Sequence, residues 1–223
     1  MTQAIPKAYK GMGMEGFTAK WYANLTSKSM SEFNALARRV ADEVPHGGRV
    51  LEVAPGPGYF AVELAKLRKH HVSGVDISRT LCDIARRNAE QAHVNVDFRL
   101  GNAAELPFPD RSFDFVLCRA AFKNFAEPVK ALREMYRVLD KNGHALVIDL
   151  RRDASVDSIG HAVDDMHLGA ANSLITKLTF RFMLLKRAYT KREFEHMLSE
   201  TNFDRIKILE DHIGFEVSAR RCE

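Results

Sequence analysis

The run Val50-Leu51-Glu52-Val53-Ala54-Pro55-Gly56-Pro57-Gly58-Tyr59-Phe60 constrains this chain more than any other stretch. It reads as a buried strand, a glycine turn, and the start of a helix carrying Ala61, Leu64, Ala65 and Leu67. Gly56 and Gly58 have no Cβ and can take positive φ, so the backbone there can approach a ligand closely. The next apolar segment, Val72-Ser73-Gly74-Val75-Asp76, ends in a carboxylate placed to accept hydrogen bonds from both hydroxyls of a ribose. Strand, glycine turn, helix, strand and acid together predict a site for a nucleoside-containing cofactor.

Two cofactor classes fit this layout. Gly56-Pro57-Gly58-Tyr59-Phe60-Ala61 matches the dinucleotide fingerprint with alanine at its third glycine, and Asp76 follows Gly56 by 20 positions. A nucleotide-dependent oxidoreductase is therefore one reading. Against it, Pro55 and Pro57 lack the N–H donors that a pyrophosphate uses at a helix N-terminus, and Glu52 adds negative charge where phosphates would sit. A sulfonium cofactor with an ammonium group accommodates both features.

Three further motifs follow in order: Gly101-Asn102-Ala103-Ala104-Glu105-Leu106-Pro107-Phe108, Ser112-Phe113-Asp114-Phe115-Val116-Leu117, and Leu132-Arg133-Glu134-Met135-Tyr136-Arg137-Val138-Leu139-Asp140-Lys141-Asn142-Gly143. With the glycine turn and Asp76, they make residues 49–150 resemble the class I S-adenosylmethionine-dependent methyltransferases, most closely the ubiquinone/menaquinone-biosynthesis-like group acting on small molecules. The resemblance implies a Rossmann-like α/β fold: a mostly parallel seven-stranded sheet with an antiparallel terminal hairpin and a helical cap. It implies S-adenosyl-L-methionine as cofactor and S-adenosyl-L-homocysteine as product. It places Gly56 and Gly58 beneath the methionine part, with Glu52 anchoring the neighbouring hydrogen bonds. Asp76 falls on the ribose and Ile77 against the adenine face. Asn102 and the Ala103 backbone fall at the adenine edge, and the segment from Arg119 closes over the methionine tail. The chain departs from the family at three points. Ala54 stands where the first glycine usually is and adds a methyl group next to the cofactor. Asn102 replaces an aspartate, though its side-chain carbonyl can still accept from the adenine amino group. Phe122-Lys123-Asn124-Phe125 replaces Leu-His-His-Phe.

The remaining composition narrows the class. Length, with 223 residues and 46% hydrophobic content, suits one embellished domain. The net charge of +4 arises from 33 basic and 29 acidic residues spread along the chain, without the basic stripe of a nucleic-acid enzyme. Cys82, Cys118 and Cys222 are far apart, which suits a reducing, cytoplasmic setting and argues against a disulfide framework or a zinc site. No apolar run follows Lys7 and Lys10, so no signal peptide is expected. The expected partner is a small molecule, with neither nucleic acid nor stable membrane insertion, in a monomer or homodimer.

Periodicity predicts a lead-in helix over Ser31–Val44 with Phe33, Leu36, Ala37, Val40, Ala41 and Val44 on one face, ended by Pro45-His46-Gly47-Gly48. Further helices are expected over 79–92 and 127–139, and strands over 94–100, 113–118 and 144–150. Near the end, Thr190 and Glu193 form a capping box that opens a helix to Thr201. Residues 206–209 and 214–219 then form an antiparallel pair. The expected organisation is an N-terminal lid and lead-in helix (1–45), a cofactor-binding core (46–152), and a substrate cap with closing helix and terminal strands (153–223).

Several residues carry substrate-side expectations. Trp21 and Tyr22, in a segment before the first helix, are candidates for a lid or for a partly buried aromatic anchor. Phe122, Lys123 and Asn124 are expected to face the methyl end, and the cap, with His167, Phe182 and Met183, to roof the same cavity. The apolar, basic stretch 174–185 is expected to be a packed cap helix. His161 to His167 contains two imidazoles and two carboxylates, but its spacing fits no standard ligand pattern, so no metal is expected. Methyl transfer from a sulfonium needs positioning above all, and no dedicated base is obligatory. His167, Tyr22, Tyr189 and Asp149 are the available basic types. A non-catalytic cofactor-binding protein is the third reading.

Overall fold

The segments 50–53 and 115–118 are buried without alternation, which is what the central strands of a parallel sheet covered by helices on each side require. A computed structural model describes residues 9–10, 13–164 and 185–222. In chain order the helices are α1 (Gly16–Thr26), α2 (Met30–Glu43), α3 (Tyr59–Lys66), α4 (Arg79–Gln91), α5 (Pro128–Val138), α6 (Val156–Asp164) and α7 (Lys191–Ser199). The strands are β1 (Arg49–Val53), β2 (His71–Asp76), β3 (Asp97–Leu100), β4 (Phe113–Arg119), β5 (Leu139–Leu150), β6 (Asp204–Glu210) and β7 (Gly214–Arg220). They form one sheet in the order β3-β2-β1-β4-β5-β7-β6. Strands β1 to β5 pair in parallel, while β7 runs antiparallel between β5 and β6. The expected seven-stranded fold with its antiparallel hairpin is present.

Alternation along the central strands divides the core. Val50, Phe115, Leu117 and Leu146 pack under α2, α3 and α4 against Phe33, Val40, Phe60, Leu64 and Ala85. Leu51, Val53, Val116, Cys118 and Val147 pack on the other face against Leu132 and Met135 of α5 and Phe194 and Leu198 of α7. The chain leaves β1 towards β2 on one side and later returns through β4 on the other. The strand order therefore reverses between β1 and β4, opening a crevice at their carboxyl ends.

Three expectations change in detail. Residues 16–26, which include the segment expected to precede the first helix, are themselves a helix whose inner face carries only Ala19 and Ala23 as buried residues. So small a buried face gives little periodic signal. Strand β3 starts at Asp97 and not at Val94, because the Val94 N–H bonds back to the Ala89 carbonyl at the end of α4. Strand β5 starts at Leu139, ahead of the expected His144. Its pairing shifts from Phe113–Leu139 to Phe115–His144 across a bulge where Asn142 has φ 62°. The cap residues His167, Phe182 and Met183, the stretch 174–184 and residues 165–167 of the His161–His167 cluster lie outside the described residues.

The capping box at α7 is as read: Thr190 Oγ1 accepts from the Glu193 N–H, and the Glu193 carboxylate accepts from the Thr190 N–H at 2.8 Å. Thr190→Ala should lower the unfolding free energy by about 1 kcal/mol, read from the urea midpoint, with no change in secondary structure. An unshifted midpoint would show that α7 is held by its packing alone.

Candidate functional site

The crevice is built by four strand ends. From β1 the chain enters the turn Ala54–Gly58, in which residues 54, 56 and 58 all have positive φ, at 57°, 56° and 75°. Glycine meets this requirement at 56 and 58. Ala54 meets it at a cost of about 1–2 kcal/mol, so the departure from glycine at 54 is paired with real backbone strain. A second alanine, Ala120 at the end of β4, has φ 57°. Both strained alanines flank the β1/β4 crevice, and such strain collects at functional sites.

Gly56 and Gly58 serve different ends. A Cβ on Gly58 would lie 2.6 Å from the Phe98 ring and 2.8 Å from the Ala85 methyl, so this glycine seats α3 against α4 and β3. A Cβ on Gly56 would meet only the Tyr22 ring of α1, at 3.4 Å. Gly56 therefore faces the crevice, roofed by Tyr22. The Asn88 amide donates to the Pro57 carbonyl at 2.8 Å and ties the turn to α4.

Two carboxylates line the turn. Asp76 is 6% exposed; one oxygen accepts from the Gly56 N–H at 3.0 Å and the other from the Ser78 N–H at 2.8 Å. Burial pushes its pKa up to about 6 against these hydrogen bonds. Glu52 is 4% exposed and accepts from the Ala61 N–H at 3.2 Å, in the first turn of α3. Burial pushes it up to about 8, opposed by that N–H and by the charge of Arg119. Arg119 itself is engaged elsewhere: its guanidinium is 2.7 Å from Glu32 and stacks 4.7 Å over the Phe33 ring. Among the described residues, neither Glu52 nor Asp76 has a cation in salt-bridge contact.

Ile77 is 40% exposed at the end of β2, as a surface for a flat ring requires. The Asn102 side-chain oxygen accepts from the Ala104 N–H at 3.0 Å and closes its own turn, which also presents Ala103. Helix α1 crosses above. The Glu15 carboxylate accepts from the Arg79 and Thr80 N–H groups, and the Ser78 hydroxyl donates to the Met14 carbonyl. Sequence reading missed this clasp, because Glu15 caps a helix more than 60 residues away in the chain. It also missed Arg137, which holds the turn after β3 by donating to the carbonyls of Leu106 and Phe108 while pairing with Glu134.

The segment after β4 departs from expectation. Phe122 does not face the crevice; it is fully buried among Phe125, Tyr189 and Phe194, with ring centroids 4.8–5.9 Å away. Lys123 is buried too, its ammonium 2.7 Å from Asp149 and 2.6 Å from the Ala120 carbonyl. Aromatic contacts hold the Phe122 ring in the core and the pair with Asp149 offsets the cost of burying the Lys123 ammonium, which corrects both substrate-side assignments. Asn124 is half-buried, and its carbonyl accepts from the Lys10 N–H. Trp21 is 57% exposed and points outward from α1, whereas Tyr22 points inward. A cavity of about 410 Å³ lies at the opposite end of the sheet beside Arg68, His71 and Asp97.

Residues 51–147 match the family model for a methyltransferase domain. The match spans a little under half of the chain. A demethylmenaquinone methyltransferase of Deinococcus radiodurans is 39% identical over 108 residues, 48% of this chain and 45% of that protein. The chain thus matches about half the length of such curated relatives. Among solved structures, a provisionally assigned S-adenosyl-L-methionine-dependent methyltransferase of Methanococcus maripaludis superimposes with a TM-score of 0.79, at 17% identity and 96% coverage of each chain. A (4+2)-cyclase superimposes with a TM-score of 0.64, at 18% identity over 84% of this chain and 80% of that one. The fold is that of the class I methyltransferases, and the cyclase shows that the fold alone does not fix the reaction. The methyltransferase domain covers the glycine turn, both carboxylates and the Arg119 segment, but neither α1 nor the terminal hairpin. Among the described residues there is no cluster of metal-ligand type and no helix long and apolar enough to cross a membrane.

The raised pKa of Glu52 makes stability depend on pH. A carboxyl raised from 4.5 to about 8 favours the fold below 4.5, and that contribution is lost as pH rises through about 8. Glu52→Gln keeps an acceptor for Ala61 and removes the titration. Between pH 5 and pH 8 the ligand-free protein should lose more stability than the Glu52→Gln variant, with urea unfolding as the measure. Equal losses would show that Glu52 ionises normally.

Proposed function

We propose that this chain transfers the methyl group of S-adenosyl-L-methionine to a small, flat or hydrophobic acceptor, releasing S-adenosyl-L-homocysteine. The observation that carries this reading is the pair of buried carboxylates around the glycine turn, Glu52 and Asp76, without a contacting cation among the described residues. Such a site favours a ligand that is cationic and carries a ribose. It disfavours a pyrophosphate, which would meet two acids and a turn in which Pro55 and Pro57 donate nothing.

The residues present fit the cofactor. Asp76 retains lone pairs for ribose hydroxyls beyond those used by Gly56 and Ser78. Ile77, Asn102 and Ala103 border the place for the base, Glu52 favours the cationic end, and the bare face of Gly56 leaves room for the chain between them. When bound, the sulfonium supplies an already activated methyl group. What the protein adds is alignment and exclusion of water, effects that can reach roughly 7–11 kcal/mol in effective concentration. Arg119 holds Glu32 and Phe33 of α2 across the crevice mouth, and Tyr22 of α1 covers Gly56, so the N-terminal helices act as the lid.

Two groups of basic type are committed to structure. Asp149 accepts from the Lys123 ammonium, the Lys123 N–H and the Leu150 N–H, and the Tyr189 hydroxyl is 2.6 Å from the Lys10 ammonium. Burial raises the Tyr22 pKa, so its phenol stays protonated at neutral pH and donates rather than accepts a proton. None of these three described groups is a free base, which favours an acceptor that attacks with little help, such as a thiolate, an amine or the carbon of an electron-rich ring. The demethylmenaquinone methyltransferase relatives support a ring acceptor of quinone type. The three free cysteines suit a reducing, cytoplasmic setting.

Calorimetric titration tests the cofactor. S-adenosylhomocysteine should bind and NAD should not, and Asp76→Ala, which removes charge-assisted hydrogen bonds of about 1.5–3 kcal/mol each, should weaken the first at least tenfold. Tight NAD binding would return the oxidoreductase reading. Tyr22→Ala should speed S-adenosylhomocysteine association while lowering turnover on a thiol, amine and quinol panel, because the roof over Gly56 is lost. Unchanged rates would show α1 to be a passive neighbour.

A further inference from the structure

Helix α1 has two apolar faces, and only one is used by the fold. Turning inward are Ala19, Tyr22 and Ala23. Turning outward at a spacing of four are Phe17, Trp21 and Leu25, with exposures of 83%, 57% and 47%. At 1.5 Å per residue they make a continuous apolar stripe about 12 Å long. Single exposed apolar residues are ordinary on a protein surface, but three large ones in register on one helix mark an interaction surface.

Charge selects the partner. Lys20 on α1 and Lys28 in the turn just after it are exposed, and neither has an ion-pair partner among the described residues. Residues 16–26 contain no acid. The two nearest acids in sequence are already occupied, Glu15 by the N–H groups that open α4 and Glu32 by Arg119. A helix with Phe, Trp and Leu on its outer face and lysines at the boundary has the make-up of one that lies in a membrane interface. We propose that α1 docks this chain, in plane and reversibly, on a lipid surface carrying anionic headgroups. The aromatic ring of Trp21 suits the headgroup level, and the lysines meet the lipid charge. Because Tyr22 lies on the opposite face of the same helix, docking sets the roof of the crevice against the bilayer, where an apolar acceptor is concentrated. The argument uses α1 alone, so it stands or falls independently of methyl transfer, which the cofactor titration tests.

Trp21 is the only tryptophan in the chain, which makes it a clean reporter. Its emission should shift to the blue and saturate on addition of vesicles of mixed phosphatidylcholine and phosphatidylglycerol, and the protein should co-sediment with them. Vesicles of phosphatidylcholine alone should bind much more weakly. Phe17→Ser combined with Leu25→Ser should reduce partitioning at least tenfold. Lys20→Glu combined with Lys28→Glu should abolish the preference for phosphatidylglycerol. All four positions are exposed, and circular dichroism will confirm folding. Emission unmoved by lipid, with no protein in the pellet, overturns the proposal. Emission already blue in lipid-free protein also overturns it: independence of protein concentration would mean that the chain's own residues cover the stripe, and dependence that a second copy does.

Discussion

Everything at the crevice depends on one carboxylate that accepts hydrogen bonds from two directions. Asp76 ends β2, and its oxygens take the N–H of Gly56 from the neighbouring turn and the N–H of Ser78 from its own. The first bond fixes the glycine turn against the sheet. The second lets Ser78 cap α4, where its hydroxyl accepts from the Leu81 N–H and donates to the Met14 carbonyl of the segment entering α1. Floor, wall and roof are thus joined through Asp76 and Ser78, two positions apart. Buried acids are costly unless hydrogen-bonded. Here the same bonds that offset that cost also set the shape of the site.

The charge balance follows from this joint. Glu52 and Asp76 sit on adjacent strands, and each raises the other's pKa or that of nearby groups by its charge as well as by burial. The one guanidinium close enough to relieve Glu52, that of Arg119, is drawn towards Glu32 and the Phe33 ring. In the core behind the end of β4, by contrast, the Lys123 ammonium lies 2.7 Å from the Asp149 carboxylate. The acids at the glycine turn thus remain uncompensated while the neighbouring pair is matched, an asymmetry that concentrates the demand for positive charge at one end of the crevice.

The sequence made the sheet legible because parallel strands covered on both sides must be apolar throughout, and the glycine turn legible because residues 56 and 58 need positive φ. The same rule accounts for the reading of Phe122 and Lys123. Position after β4 was a fair guide to where the backbone goes, but not to side-chain direction, since a one-residue rotation in the short helical turn at 122–124 exchanges core for crevice. Nothing local distinguishes a lysine that will find Asp149, 26 positions away, from one that faces solvent. Helix α1 escaped notice for a related reason. Its buried face is two alanines and part of a tyrosine, while its largest side chains point outward, so hydrophobicity there does not follow the core.

That inversion ties the two ends of the molecule's chemistry together. A helix held chiefly by its core face would need larger residues than Ala19 and Ala23, and α1 instead depends on end contacts: Glu15 at the start of α4, and the Tyr59 hydroxyl donating to the Ala23 carbonyl. Each is a surface or half-buried hydrogen bond of modest net worth, about 1 kcal/mol. Such an element can leave the crevice without unfolding the sheet beneath it, because β1, β2 and β4 keep their packing under α2 to α5 whether or not α1 is in place. A roof of this kind is light by construction. As the proposed lid, α1 has small inward residues and large outward ones, so a surface that binds the outward face acts on the same helix that sets Tyr22 over Gly56.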